Sequence, residues 1–198
     1  MQRSNSYEAN DSLKARTRSP YLLWLIWVIW LPFIIPPLVS LLQSHPPLTR
    51  LIAMVIGVAL FFAIYLWATW QTAQRLVAAS VPTGRTEVSI WLITATLAAL
   101  SFALARSGQA VQWWSPFIFT SGYVGGSLRT TRAILAVVIL TLLIVILSYI
   151  VHLSWLDLLQ AGVFVVAVGF IIMNVVRSIK TSWELQAARE EIAPQNTG

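Results

Sequence analysis

The sequence contains no cysteine and few charged residues, and both shortages limit what the protein can be. Without cysteine there is no thiolate nucleophile, no disulfide bond and no cysteine-ligated metal site. Charged residues make up 10% and hydrophobic residues 58% of the 198 residues, whereas soluble domains carry about 25% charged residues. This composition excludes an ordinary soluble domain and predicts an all-α, polytopic membrane protein.

The long apolar runs contain no Glu, Lys or Arg, and their single Asp, Asp157, lies at the very start of the last run. Charged groups inside a bilayer mark proton relays and ion pathways because they are costly there, so their absence argues against an ion-coupled pump. No hydrolase, P-loop or dinucleotide-binding motif is present. We therefore predict no catalytic residue and no cofactor. The net charge of +6 is assigned to the membrane borders and not to nucleic-acid binding.

Two histidines, His45 and His152, fall on predicted links between spans, and Asp157 follows the second of them closely. If the fold brought the three together, they could form a weak metal or pH-sensing site. No metal-binding spacing motif accompanies them, so solvated loop residues are the favoured interpretation, and we predict no metal site.

Six apolar runs are predicted to be transmembrane helices, since about 20 apolar residues are needed to cross the hydrocarbon core. Their approximate ranges are 21–42, 51–72, 88–105, 110–128, 133–151 and 155–176. The fourth is the least regular. Its Gly122 and Gly126 have the GxxxG spacing that allows close helix packing, although so much glycine can also break a helix.

The first run carries two further features. Pro32, Pro36 and Pro37 remove backbone donors and are predicted to kink or end the helix. The tryptophans at 24, 27 and 30 recur every three residues and mark one face. Such a stripe can line a ligand groove, but interfacial anchoring or helix packing is the more common role.

The basic residues predict the orientation in the membrane. If all six runs cross, only Arg50 and Arg106 of the 13 Lys and Arg residues lie on the side opposite the N-terminus. Because Lys and Arg concentrate in cytoplasmic loops, both termini are predicted to be cytoplasmic, in the cell membrane. If 110–128 did not cross, the C-terminal segment would lie outside. The polar tails 1–19 and 194–198 are predicted to be disordered.

The last span continues into the polar segment 177–193, which contains neither Gly nor Pro, so one helix is predicted to leave the membrane and enter the cytoplasm. A 3-4 spacing typical of a helix-pair seam continues across that border. Its main positions are Gly162, Gly169, Val176, Ile179 and Trp183. This pattern predicts a homodimer that passes a signal along the helix. A second seam, Leu185–Ala188–Ile192, competes with it, and an ordinary last span with a frayed amphipathic tail remains the alternative.

Two stretches resemble a known family. The basic tail, then Tyr21–Trp27, then prolines, then a second span closing on Tyr65–Trp67 form one, and Glu184–Ala193 forms the other. Together they resemble the membrane portion of bacterial sensor histidine kinases of the DesK-like class. The resemblance implies a helical sensor whose last helix leads into a dimerisation and phosphotransfer domain.

The chain also departs from that family. Pro194 ends the helix, and no histidine lies on the predicted cytoplasmic side, so no phosphoacceptor or other catalytic residue is carried over. The expectation is a sensory module that lacks the phosphoacceptor and ATP-binding domains. Its predicted partners are the lipid bilayer and a second copy, with a kinase or response regulator only if a downstream kinase exists. The alternative is a membrane subunit of a small, permease-like transporter.

Overall fold

Every regular element of the described chain is helical, which confirms the all-α class. The computed structural model describes residues 19–78, 84–108, 111–152 and 154–192. The α-helices in these ranges are α1 (Pro20–Val28), α2 (Ile35–Gln43), α3 (Leu48–Val77), α4 (Gly84–Gly108), α5 (Ser115–Ser127), α6 (Thr130–Val151) and α7 (Trp155–Ile192). Short 3-10 turns, Leu31–Ile34 and Val111–Trp114, precede α2 and α5. Of the two predicted tails, residues 1–18 and 194–198 lie outside the described residues.

Five helical stretches of the described chain are long and apolar enough to cross a membrane. They are Pro20–Gln43, which contains α1 and α2, and the helices α3, α4, α6 and α7, the last counted as Trp155–Gln186. Large apolar side chains cover the outside of the bundle, and Leu92, Leu142 and Leu156 are each more than half exposed. An apolar exterior of this kind suits lipid and not water, as expected of a multi-pass membrane protein.

The centre of the bundle is α5, the shortest of the helices after α1 and α2. Every residue from Ser115 to Gly126 is buried, because α5 packs against α1, α3, α4, α6 and α7. Its 13 residues span only about 20 Å at 1.5 Å per residue. The structure thus differs from the single span predicted over 110–128: a 3-10 turn leads into a short helix wrapped by others. A helix without a lipid-facing side can carry Ser and Thr when their hydroxyls are hydrogen-bonded within the bundle.

The proline-containing stretch is divided between two helices. α1 ends at Val28, a 3-10 turn containing Pro32 follows, and α2 begins at Ile35. Pro36 and Pro37 lie in the first turn of α2, where a helix has no use for their missing N–H groups. The helix interruption therefore falls before Pro36 and Pro37. The sequence predicts that these prolines kink or end a helix, whereas in the structure they begin α2.

Three side-chain contacts define the two ends of the bundle. At one end the hydroxyls of Thr72 and Ser127 share a hydrogen bond of 3.0 Å, and Glu87 forms an ion pair with Arg132. We call this the arginine-rich end, because Arg75, Arg85, Arg129, Arg132 and Arg177 all lie near it. At the opposite end Arg50 donates to the carbonyl oxygen of Ser107. Both α1 and the second half of α7 meet at the arginine-rich end, where Leu23 and Trp183 line one crevice.

Candidate functional site

The helices α5 and α7 approach each other closely enough for their backbones to touch. A Cβ atom built on Gly125 would collide with the carbonyl oxygen of Gly169. A Cβ on Gly169 would in turn lie 2.5 Å from Ser121 Oγ and 2.8 Å from Val137 Cγ2. Backbone atoms cannot swing aside as a flexible side chain can, so the two helices touch here with no side chain between them. A displacement of α5 at this level must move α7 as well.

The two glycines predicted to allow close packing, Gly122 and Gly126, flank that contact and differ from each other. A Cβ on Gly122 would lie 3.5 Å from Val168 Cγ1, an ordinary contact distance, whereas a Cβ on Gly126 would lie 2.5 Å from Cζ2 of Trp27. Glycine is thus required at 126 by an aromatic ring of α1. The residue at the tightest point, Gly125, was not singled out by the spacing motif, which points to its neighbours.

Hydroxyl groups tie α5 to three neighbouring helices. Ser121 Oγ donates to the carbonyl oxygen of Val165 in α7 over 2.6 Å. Thr120 Oγ1 lies 3.3 Å from Ser101 Oγ in α4, and the Thr72–Ser127 bond joins α5 to α3. Hydrogen bonds between membrane helices contribute about 0.6 kcal/mol on average, so their main effect is to fix the register of α5.

The tryptophan stripe, of which Trp24 and Trp27 lie on α1, packs against the bundle. Trp27 is fully buried, its Nε1 donates to the carbonyl oxygen of Gly122 over 3.3 Å, and its own carbonyl oxygen accepts from Tyr65 Oη over 3.2 Å. Trp24 Nε1 donates to Thr69 Oγ1 over 3.2 Å. The stripe therefore serves helix packing, and Trp27 links α1, α3 and α5 in one contact.

The predicted dimer seam is largely occupied by the protein's own bundle. Gly169 and Val176 are buried in the contacts of α7 with its neighbours, while Ile179 and Trp183 are half-buried. Gly162 alone has open space in front of it. The reason is that a 3-4 spacing reports a packed helix face without reporting what packs on it. Within the bundle these positions contact the same chain, so this part of the seam is not free for a second copy.

A different face of α7 is exposed. Asn174, Ser178, Thr181 and Leu185 are exposed and follow one another at spacings of four, three and four. They line a shallow cavity of about 480 Å³ together with Arg177 and Ser182. Asn174 Nδ2 donates to the carbonyl oxygen of Phe170 over 2.9 Å. This face continues into the second predicted seam at Leu185 and Ala188. Its hydroxyl residues Ser178 and Thr181 were missed because hydroxyl residues carry no hydropathy signal.

His45, His152 and Asp157, the residues considered for a metal or pH-sensing site, lie at turns and helix ends. His45 and His152 both adopt a left-handed backbone conformation, with φ of 43° and 54°, and His152 caps the C-terminus of α6. Asp157 accepts a hydrogen bond of 2.6 Å from Ser154 Oγ, which also accepts from the backbone N–H of Asp157. This is the N-cap arrangement of α7. In the described residues no three potential metal ligands of the His, Cys, Asp and Glu types form a group.

Comparison with protein-family models, curated proteins and solved structures found no match. Membership of the sensor kinase family therefore stays a prediction from the two sequence stretches.

Proposed function

We propose that the protein is a membrane sensory module that transmits a signal through α7. The observation that carries the proposal is the continuity of α7, one helix of 38 residues and therefore about 57 Å long. That length is nearly twice the hydrocarbon core of about 30 Å. Its first half is locked to α5 by the Gly125–Gly169 contact, and its second half leaves the bundle at the arginine-rich end.

The packing supports transmission because the central helix contacts every other long helix. A change in bilayer thickness alters the tilt of spanning helices at a cost of fractions of a kcal/mol per Å, and a hydrophobic ligand would displace them directly. Either change reaches α5, and the direct backbone contact then passes it to α7 without the slack of flexible side chains. In a homodimer, the face Asn174–Leu185 would carry the resulting rotation or shift to the second copy.

The proposed orientation has six crossings, with α5 as the fourth, and both termini in the cytoplasm. Support comes from the bundle contacts, in which α5 runs from the end near Gly108 to the end near Thr72. It also comes from the concentration of arginine at one end, which is typical of a cytoplasmic surface.

The absence of native cysteine allows a direct test of this orientation. Ser44→Cys and Ser178→Cys place one exposed thiol at each end of the bundle. We expect a membrane-impermeant maleimide to label Ser44→Cys in intact cells, and Ser178→Cys only after the membrane is permeabilised. Labelling of both variants from outside would mean that α5 does not cross, and the proposed six-crossing orientation would then be wrong.

Transmission along α7 can be tested in a chimera. Residues 1–192 are fused in heptad register to the phosphotransfer and ATP-binding domains of a DesK-like kinase, and two alanines are inserted after Arg177. At 3.6 residues per turn this insertion rotates everything beyond it by roughly 200°. Because couplings of this kind amount to about 1–3 kcal/mol, we expect autophosphorylation to change about fivefold or more.

The matched control is an insertion of seven residues at the same place. Seven residues lengthen the helix further but return it to within about 20° of its original orientation, so we expect autophosphorylation close to that of the parent chimera. If the two-residue and seven-residue insertions behave alike, α7 does not transmit by its rotational register, and the proposal fails.

A further inference from the structure

A lipid-facing groove runs between α4 and α6 on the outside of the bundle. Its α4 wall is made of small side chains, Ala95, Ala98 and Ala99, and Ala136 and Leu140 contribute from α6. The groove has a volume of about 590 Å³. Ala95 and Ala99 are exposed, and Ala98 and Ala136 are buried at its floor. The groove therefore opens sideways to the lipid, and it exists because alanine replaces the bulkier residues of neighbouring faces.

The dimensions of the groove match one acyl chain in one leaflet. Its aromatic ends on α4 are Trp91 and Phe102, which are about 16 Å apart along the helix at 1.5 Å per residue. Half of the hydrocarbon core is about 15 Å. The hydroxyl of Thr94 is already bonded to the carbonyl oxygen of Ile90 over 2.8 Å. Apart from the indole N–H of Trp91 at one end, the other side chains that line the groove are apolar.

A cluster of charges lies beyond the Trp91 end of the groove. Glu87 is one helical turn before Trp91 on α4, and its ion-pair partner Arg132 is one turn before Ala136 on α6. The side chain of Arg132 is 49% exposed. A guanidinium has five N–H donors, of which a carboxylate can engage two, so donors remain for a further anion.

Two more arginines reinforce the positive charge of this cluster. Arg85 stands two residues before Glu87, and Arg129 stands three before Arg132, both exposed. Three arginines and one glutamate leave a net charge of +2. An apolar groove one leaflet deep with a cationic mouth is complementary to a lipid that has a negative headgroup.

We propose that this groove binds one acyl chain of an anionic phospholipid, whose phosphate lies at Arg132. The proposal goes beyond the transmission function and does not depend on it, because it rests on α4 and α6 and makes no use of the helix beyond Arg177.

Brominated lipids test the site because bromine quenches tryptophan fluorescence on contact. The protein is placed in phosphatidylcholine nanodiscs that contain a small fraction of either brominated phosphatidylglycerol or brominated phosphatidylcholine. Because basic residues near a membrane surface attract anionic lipids, we expect phosphatidylglycerol to quench at about a tenfold lower mole fraction. Trp91 lines the groove, so the Trp91→Phe variant should lose that excess quenching. Such a loss would locate the bound lipid at the groove.

Three variants identify the residues responsible. Ala99→Leu fills the groove and should abolish the excess quenching, while Ala103→Leu adds the same side chain to an exposed position of α4 outside the groove and should leave it unchanged. The double variant Glu87→Gln/Arg132→Gln keeps the net charge of the protein and should remove most of the preference for phosphatidylglycerol. Equal quenching by the two lipids, or undiminished excess quenching in the Ala99→Leu variant, would overturn the proposal. The chimera result would not be affected by either outcome.

Discussion

Replacing Trp27 with alanine should lower the stability of the bundle more than the loss of any exposed tryptophan. Trp27 is fully buried and bridges α1, α3 and α5. In soluble proteins a buried Trp→Ala substitution costs about 3–5 kcal/mol, in part because a cavity remains. Lipid tails are as apolar as the interior, which reduces the transfer part of that cost, so we expect about 3 kcal/mol. For a protein of this size the midpoint temperature should fall by about 6–12 °C.

The measurement is the midpoint of thermal unfolding in a mild detergent, read from the fraction that remains monodisperse after heating. Trp67→Ala is the matched control, because Trp67 is 54% exposed on α3 and its loss leaves no internal cavity. We expect the control to change the midpoint by less than about 2 °C, in keeping with surface substitutions that stay within about 0.5 kcal/mol. Equal decreases of the midpoint temperature in both variants would show that Trp27 does not hold α1, α3 and α5 together.

Replacing Gly125 with alanine should destabilise the protein by a net amount of about 2 kcal/mol. The added Cβ would collide with the backbone carbonyl oxygen of Gly169, and overpacking against atoms that cannot yield costs up to about 3 kcal/mol. Alanine recovers about 1 kcal/mol of helix propensity relative to glycine. The expected result is a midpoint about 4–8 °C below that of the wild type.

The informative control is Gly122→Ala, three residues earlier in the same helix. Its Cβ would meet Val168 at an ordinary 3.5 Å, so the gain in helix propensity is not offset and stability should be unchanged or slightly higher. Gly162→Ala in α7 should behave similarly, since nothing lies within 4 Å of that position. If Gly122→Ala were the more harmful of the two α5 variants, the GxxxG reading would be right and the assignment of Gly125 wrong.

The sequence is most informative about the helices that face lipid. The long apolar runs predicted at 51–72, 88–105 and 133–151 lie within α3, α4 and α6, because lipid demands apolar side chains on the exposed face of a helix and the demand is visible in composition. α5 is free of it. Its neighbours cover it completely, so Gly, Ser and Thr are tolerated there. The resulting low hydropathy makes the central helix of the fold the least regular span in the sequence.

The seam on α7 shows a second limit. Periodicity correctly marks Gly169, Val176 and their neighbours as a packed face, but a helix pair within one chain and a pair between two chains obey the same spacing. The partner of the face depends on where α5 lies, and that depends on contacts distant in sequence. For the same reason Trp27 can be seen as part of a stripe, whereas its contact with Gly126 cannot be derived from either residue alone.

The complete enclosure of α5 also has a consequence for biosynthesis. The ribosome delivers α5 before α6 and α7, two of the helices that cover it. During that interval Gly125 and the hydroxyl of Ser121, which both contact α7 in the finished bundle, must meet lipid, the insertion machinery or a chaperone. α5 therefore cannot reach its final position until α7 has been synthesised. The order in which the helices are synthesised thus differs from the order in which they pack. The Gly125–Gly169 contact can form only after Gly169 has been synthesised, so a chain that stalls before codon 169 lacks the backbone contact that joins α5 to α7.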